Sequence, residues 1–236
     1  MKHVWQININ YFHFLRLGAE RLLHLSKLRE DEMRNCNFIK DAANLKDVSS
    51  NYAFMSVIMF IIASEAFINR FYEHRTNIPE NKKRKIIRYW NLQKKWVSAP
   101  YYAGSNKKFD VKEGLFTEFQ ELIDIRNELV HAKGYVSLVK FANYSPKGLD
   151  TDIRGPNDER LINDEYVDSA FWRNTGMPRD PHSFKCRDAL LAKRIIEEMI
   201  LKLKELVGPD KVDDWLLSQE NYSYLRERKE DDDLLK

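Results

Sequence analysis

The chain has 236 residues, a formal net charge of +3 and 43% hydrophobic residues, which is enough for a full-sized core and excludes wholesale disorder. It contains only eight glycines and seven prolines, and 3.6-residue periodicity recurs over long stretches, so we predict an all-α protein. Cys36 and Cys186 lack the spacing of a disulfide framework or a zinc site. We expect no metal and no cofactor, and a reducing cytosol as the compartment.

The amino-terminal residues do not read as a signal peptide, because glutamine and asparagine interrupt every apolar run and no small-residue cleavage site follows. The most apolar stretch, residues 53–63, is about half the length that spans a bilayer, and Glu65 follows it closely. It is typical of a buried helix of a soluble protein, and no membrane partner is expected.

Helical spacing predicts a first helix from about Asn10 to Arg34, followed by a shorter one over residues 38–45. A second long helix is predicted to begin at Ser49 or Ser50 and to end near residue 74. Its first half is apolar nearly all round, as in the central helix of a bundle.

A polar line appears in the second half of that helix, where Glu65 and Asn69 stand one turn apart. Glu65 is the best acidic partner in the sequence for a cation on another core helix. A plain buried ion pair is the alternative interpretation, although such pairs contribute little net stability.

The region from Asn81 to Phe109 contains nine cations and no acid, which leaves the rest of the chain with a net charge of −6. Aromatic residues lie among these cations, as a nucleic-acid backbone and its unstacked bases require, although a merely solvated basic helix is the alternative. The predicted RNA-binding residues are Lys82, Lys83, Arg84, Lys85, Arg88, Lys94, Lys95, Lys107 and Lys108.

Residues 115–135 read as one amphipathic helix with a cation in its apolar stripe. Arg126 falls in the middle of that stripe, and Asn127 and His131 stack at its edge because they are four residues apart. A buried unpaired arginine is costly, so Arg126 must meet an acid, an interface or a ligand.

Residues 142–182 are irregular and rich in Gly, Pro, Asp and Asn, with one short helix predicted near 164–173. A last long helix is predicted from Ser183 to Val207, where Gly208 and Pro209 end it. The predicted organisation is an N-terminal helical extension (1–48), a helical domain (49–208, with 142–182 as an insertion) and a short helix with a frayed acidic tail (209–236).

The sequence RNELVH, from Arg126 to His131, resembles the Arg-x4-His signature of HEPN domains, in which a polar residue often follows the arginine. Its position late in a long helix, after a strongly apolar helix and before one more long helix, agrees with that family. The resemblance implies an HEPN-like bundle of four to five long helices with the 142–182 insertion.

The resemblance also implies a metal-independent endoribonuclease that leaves 2′,3′-cyclic phosphate (or 3′-phosphate) and 5′-hydroxyl ends. His131 is then the general acid and base, since imidazole exchanges protons near neutral pH. Arg126 is the phosphate clamp, and Asn127 orients the imidazole or contacts phosphate. Glu65 and Asn69 support the arginine, and Lys133 borders the cleft.

HEPN ribonucleases pair two copies so that two Arg/His sets form a composite site, so a homodimer acting on RNA is expected. Members often serve as toxins or antiviral-defence effectors, and 142–182 is the candidate contact for an antitoxin or regulatory partner. The alternative is a catalytically silent HEPN module for dimerisation or for RNA or nucleotide binding.

Overall fold

The computed structural model describes residues 11–130, 143–145, 148–150 and 171–212. The α-helices in these ranges are α1 (Tyr11–Arg34), α2 (Ile39–Arg75), α3 (Glu80–Tyr89), α4 (Leu92–Tyr102), α5 (Gly114–Val130) and α6 (Cys186–Val207). Two short strands, β1 (Asn143–Ser145) and β2 (Gly148–Asp150), pair antiparallel. Single 3-10 turns cover Pro181–Ser183 and Pro209–Lys211. The protein is mostly helical, which confirms the predicted all-α class.

Helices α1 and α2 form a closely packed antiparallel pair. Ser56 Oγ donates to the Ala19 carbonyl at 2.7 Å, and Ser26 and Ser49 each donate to the carbonyl of the other, at 3.0 and 2.9 Å. The predicted helix start at Ser49 or Ser50 is wrong, because α2 already begins at Ile39 and both serines are buried within it. The predicted boundary at 48/49 therefore falls inside the continuous helix α2.

Helix α2 is long and apolar enough to cross a membrane by length and composition alone. However, 56% of its most apolar window is buried inside the protein. Since the core helix of a soluble protein passes the same test, these properties are weak evidence for a membrane span.

An aromatic cluster around Trp96 fixes the three helices that carry the candidate site. The fully buried Trp96 of α4 stacks on Phe67 of α2, with ring centroids 5.7 Å apart. It also meets Phe119 of α5 edge-on at 5.5 Å and Phe109 at 6.2 Å. Such pairs are worth about 0.5–1.5 kcal/mol each beyond their buried area, so α2, α4 and α5 are held in a defined arrangement.

The basic region forms two helices separated at Trp90 and Asn91. Asn91 Oδ1 accepts from the Lys94 backbone N–H at 2.8 Å and so caps α4. Helix α4 then continues through Tyr101 and Tyr102.

The described parts of the predicted insertion are the β1–β2 hairpin and a segment of turns, 171–182. Of the short helix predicted over 164–173, only 171–173 are described, and Phe171 forms an antiparallel bridge with Pro178 instead. The 3-10 turn at 181–183 precedes α6, which begins three residues later than predicted. The predictions for 131–141 and for most of the 209–236 tail lie outside the described residues.

Candidate functional site

The apolar stripe of α5 is buried as its periodicity predicts, through Phe116, Phe119, Leu122 and Ile123. Arg126, in the middle of the predicted stripe, is not enclosed by the core. Its side chain is 36% exposed. The guanidinium therefore lies at the edge of the bundle, where it contacts protein on one side and solvent on the other.

Two neighbours position the guanidinium of Arg126. Its Nη2 lies 3.7 Å from Glu65 Oε2, an ion pair that is too long for a hydrogen bond. Its Nη1 donates to Asn127 Oδ1 at 3.0 Å. The predicted orienter Asn127 is thus engaged with the arginine, and guanidinium N–H groups remain for an incoming anion.

Lys95 is the third member of the network and requires a correction. Its Nζ lies 3.0 Å from Glu65 Oε1, and its side chain is only 1% exposed. A buried ammonium paired with a carboxylate does not reach a nucleic-acid backbone, so the prediction that Lys95 binds RNA is wrong. Tyr72 donates its hydroxyl hydrogen to the Lys95 carbonyl at 2.9 Å, and burial raises the pKa of this phenol, which stays protonated.

The Glu65, Lys95 and Arg126 network has one carboxylate between two cations. Glu65 uses one oxygen for each partner and cannot neutralise both, so the three groups carry a net charge of +1. Because Lys95 is buried and Arg126 is partly exposed, the uncompensated charge is available at Arg126. The arrangement suits an anion such as a phosphodiester.

Asn69 lies one turn beyond Glu65 on α2. Among the described residues its Oδ1 has no hydrogen-bond partner, although that atom is buried. A buried acceptor without a donor costs about 1–3 kcal/mol. Of the two predicted supporting residues, Glu65 and Asn69, it is Asn69 that has a hydrogen-bond acceptor left unsatisfied by the described part of the chain.

Two further predicted residues, His131 and Lys133, lie outside the described residues. Helix α5 is described to Val130, directly before the histidine.

The other predicted RNA-binding cations form a surface on α3, α4 and the loop that follows. We call this the basic surface, and it comprises Lys82, Lys83, Arg84, Lys85, Arg88, Lys94, Lys107 and Lys108. All are exposed except the half-buried Lys83, which donates to the Glu73 carbonyl at 2.7 Å.

Aromatic rings are interleaved with the cations of the basic surface. Lys94 Nζ lies 4.2 Å from the ring centroid of Trp90, and Lys82 Nζ lies 4.9 Å from that of Tyr102. Tyr89 and Tyr101 are largely exposed. Exposed rings beside cations are the elements that bind single-stranded nucleic acid.

Sequence reasoning missed the structural use of two charged residues. Lys95 shares the helical stripe of Leu92, Trp96 and Ala99, and this spacing is the signal that places it in the core. Glu121 is 7% exposed and accepts hydrogen bonds from the distant segment that contains Asn174. Nothing near Glu121 in sequence reveals that contact.

Within the described ranges, no group of three or more His, Cys, Asp or Glu side chains is placed to hold a metal ion. No model of a known protein family matches the chain, and no curated protein or solved structure is detectably similar to it. The interpretation of the site therefore depends on its own residues.

Proposed function

We propose that the protein is a cytosolic, homodimeric endoribonuclease of HEPN type that needs no metal. The observation that carries the proposal is the state of Arg126: a partly exposed guanidinium, anchored by Glu65 and Asn127, five residues before His131. The resemblance of RNELVH to the HEPN signature supports the same assignment. Growth arrest on expression is the expected biology of such a toxin or antiviral-defence effector.

The chemistry assigned to the site is transesterification within RNA. The 2′-oxygen attacks the adjacent phosphorus, the P–O5′ bond breaks, and the 5′-oxygen leaves with a proton. His131 exchanges the protons, and Arg126 stabilises the negative charge that the crowded phosphorane develops. The products are a 2′,3′-cyclic phosphate, which water opens to a 3′-phosphate, and a 5′-hydroxyl.

A second copy of the chain is part of the proposal because one helix supplies one histidine, whereas the reaction needs a base and an acid. An exposed apolar line on α2 supports it. Val48, Met55 and Ile62 are exposed at seven-residue spacing, and Asn69 continues the line beside Glu65. A face of this kind that leads to the arginine site suits a partner that completes the site.

One observation favours a catalytically silent module as the second candidate. Arg126 has an acidic partner within its own subunit, Glu65, whose other oxygen holds the buried Lys95. A network of this kind is also explained by a purely structural role, which is to hold α2, α4 and α5 together. In that case Arg126 is structural, and the protein acts through dimerisation or through RNA or nucleotide binding.

The test is incubation of the purified full chain with RNA in excess EDTA, followed by end-group analysis. Cleavage that leaves cyclic phosphate and 5′-hydroxyl ends is expected, with a loss of about 100-fold or more in Arg126→Ala and in His131→Ala. Arg34→Ala and His24→Ala are matched controls, because both side chains are exposed. Cleavage that survives both site substitutions, or that is absent from the wild type, rejects the enzyme and leaves the silent module.

A further inference from the structure

A cavity lies on the face of α5 that points away from Arg126. Its volume is about 420 Å³, within the range of small-molecule sites. Helix α5 contributes Thr117, Gln120 and Asp124, and the opposite wall comes from the segment that begins at Phe171. Asp124 and Arg126 are two residues apart, which places them about 160° apart around the helix, so this cavity is separate from the arginine site.

The wall of the cavity is held in place by Glu121. Its carboxylate accepts from the Asn174 backbone N–H at 2.8 and 3.0 Å, from Asn174 Nδ2 at 2.6 Å and from the Thr175 backbone N–H at 2.8 Å. A tight turn follows, in which Gly176 adopts a φ of +65° and its N–H donates to the Trp172 carbonyl at 2.8 Å. The cavity is therefore formed before any ligand arrives, which lowers the entropic cost of binding.

Asp124 is the lining carboxylate that the wall segment does not already use. Gln120 Nε2 donates to Asp124 Oδ1 at 3.3 Å and orients the carboxylate, which is half-buried. Burial raises the pKa of Asp124, the Gln120 hydrogen bond opposes that rise, and the Glu121 charge adds to it. An oriented, partly desolvated carboxylate binds best to a group with two adjacent N–H donors, one for each oxygen.

The other charges of the cavity decide which donor group fits. Glu121 is already saturated by the wall segment, and Arg179 lies 3.7 Å from Glu128, whereas the half-buried Asp124 and the exposed Arg173 offer one charge of each sign. This pair of opposite charges favours a ligand with N–H donors at one end, for Asp124, and an anion at the other end, for Arg173. Phe171, 52% exposed, supplies an aromatic face at the rim.

We propose that this cavity binds a guanine base, with Asp124 accepting from its N1–H and 2-amino groups, Phe171 stacking on the ring and Arg173 attracting the phosphate. Adenine, cytosine and uracil do not present two adjacent donors on one edge. The guanine can belong to a free nucleotide or to an RNA strand. The assignment holds whether or not the protein cleaves RNA.

Calorimetric titration of the full chain with GMP, AMP and XMP tests the assignment. GMP is expected to bind about tenfold or more tighter than AMP, because adenine places an acceptor opposite the carboxylate. Asp124→Asn is expected to lower the affinity for GMP by about tenfold or more. It should raise the affinity for XMP, because the new amide donates to the 2-oxo group of xanthine. Asp210→Asn is the matched control: it makes the same charge change at an exposed site and leaves GMP binding unchanged.

Phe171→Leu provides a second variant, because an exposed side chain can be shortened with little effect on folding. Loss of stacking is expected to lower the affinity for GMP about fivefold or more. Pentaribonucleotides with a single central G or A distinguish the two sources: tighter binding of the G strand than of GMP assigns the base to RNA, and equal affinity assigns it to a nucleotide. Failure of both GMP and the G strand to bind, or GMP affinity that neither variant changes, overturns the site.

Discussion

Removal of Glu65 and removal of Lys95 should have unequal effects on stability. Glu65→Leu leaves the Lys95 ammonium, whose side chain is 1% exposed, without its carboxylate partner at 3.0 Å. An uncompensated buried charge costs about 3–5 kcal/mol. Lys95→Met removes the buried charge itself and leaves Glu65 partly exposed beside Arg126, so its expected cost is about 0–1 kcal/mol.

The double variant Glu65→Leu/Lys95→Met completes the cycle. With both charges replaced by apolar groups of similar size, most of the loss in Glu65→Leu should be recovered, with a coupling energy of roughly 2 kcal/mol or more. Urea denaturation followed by circular dichroism gives the free energies of unfolding, and the thermal midpoint of Glu65→Leu should fall by roughly 6–20 °C. If Lys95→Met destabilises the protein as much as Glu65→Leu, or if the two effects simply add, the buried-cation explanation is refuted.

Three further predictions concern other parts of the molecule. Glu121→Ala should speed amide hydrogen exchange at residues 174 and 175, whose N–H groups it accepts, whereas the exposed Glu197→Ala should not. Charge reversal at residues 82–85 should weaken RNA binding and flatten its dependence on salt; an unchanged salt slope would show a merely solvated surface. Burial lowers the pKa of His13, so the unfolded state takes up its proton first, and stability should fall as the pH drops below about 6.5. His13→Phe should reduce that slope, as measured by urea denaturation at stepped pH, while the exposed His24→Phe leaves it unchanged.

Periodicity predicted the parts of the fold in which one helix face meets the core. Helix α1 ends at Arg34, as its periodicity predicts, and the apolar stripe of α5 is buried as expected. These are local properties, because burial of one face repeats along the helix at its own period. They require no knowledge of what the face packs against.

The missed features depend on contacts between residues far apart in sequence. Ser49 looks like a helix cap in isolation. In the structure its hydroxyl donates to the Ser26 carbonyl on α1, and α2 begins ten residues earlier, at Ile39. Glu121 reads as a surface residue, but it is covered by a segment more than 50 residues away. In both cases a polar side chain satisfies a distant backbone group, which composition does not reveal.

The candidate site shows the same division. The sequence singled out Arg126 and Glu65, and the structure places them 3.7 Å apart. The charge run alone groups Lys95 with its cationic neighbours, because it carries no information about the helix face. The apolar spacing of α4 separates it from Lys94, which lies on the exposed basic surface. Periodicity and charge have to be considered together to decide whether a lysine lies in the core or on the surface.

Cleavage and stability of Arg126→Ala, measured on one preparation, test the central claim most directly. The ion pair between Arg126 and Glu65 is about one-third exposed, so its loss should cost about 0–1 kcal/mol of folding stability. An arginine that clamps phosphate predicts a nearly unchanged denaturation midpoint together with RNA cleavage lowered about 100-fold or more. A large fall in the midpoint with no specific loss of cleavage would contradict that account and assign the arginine to the scaffold.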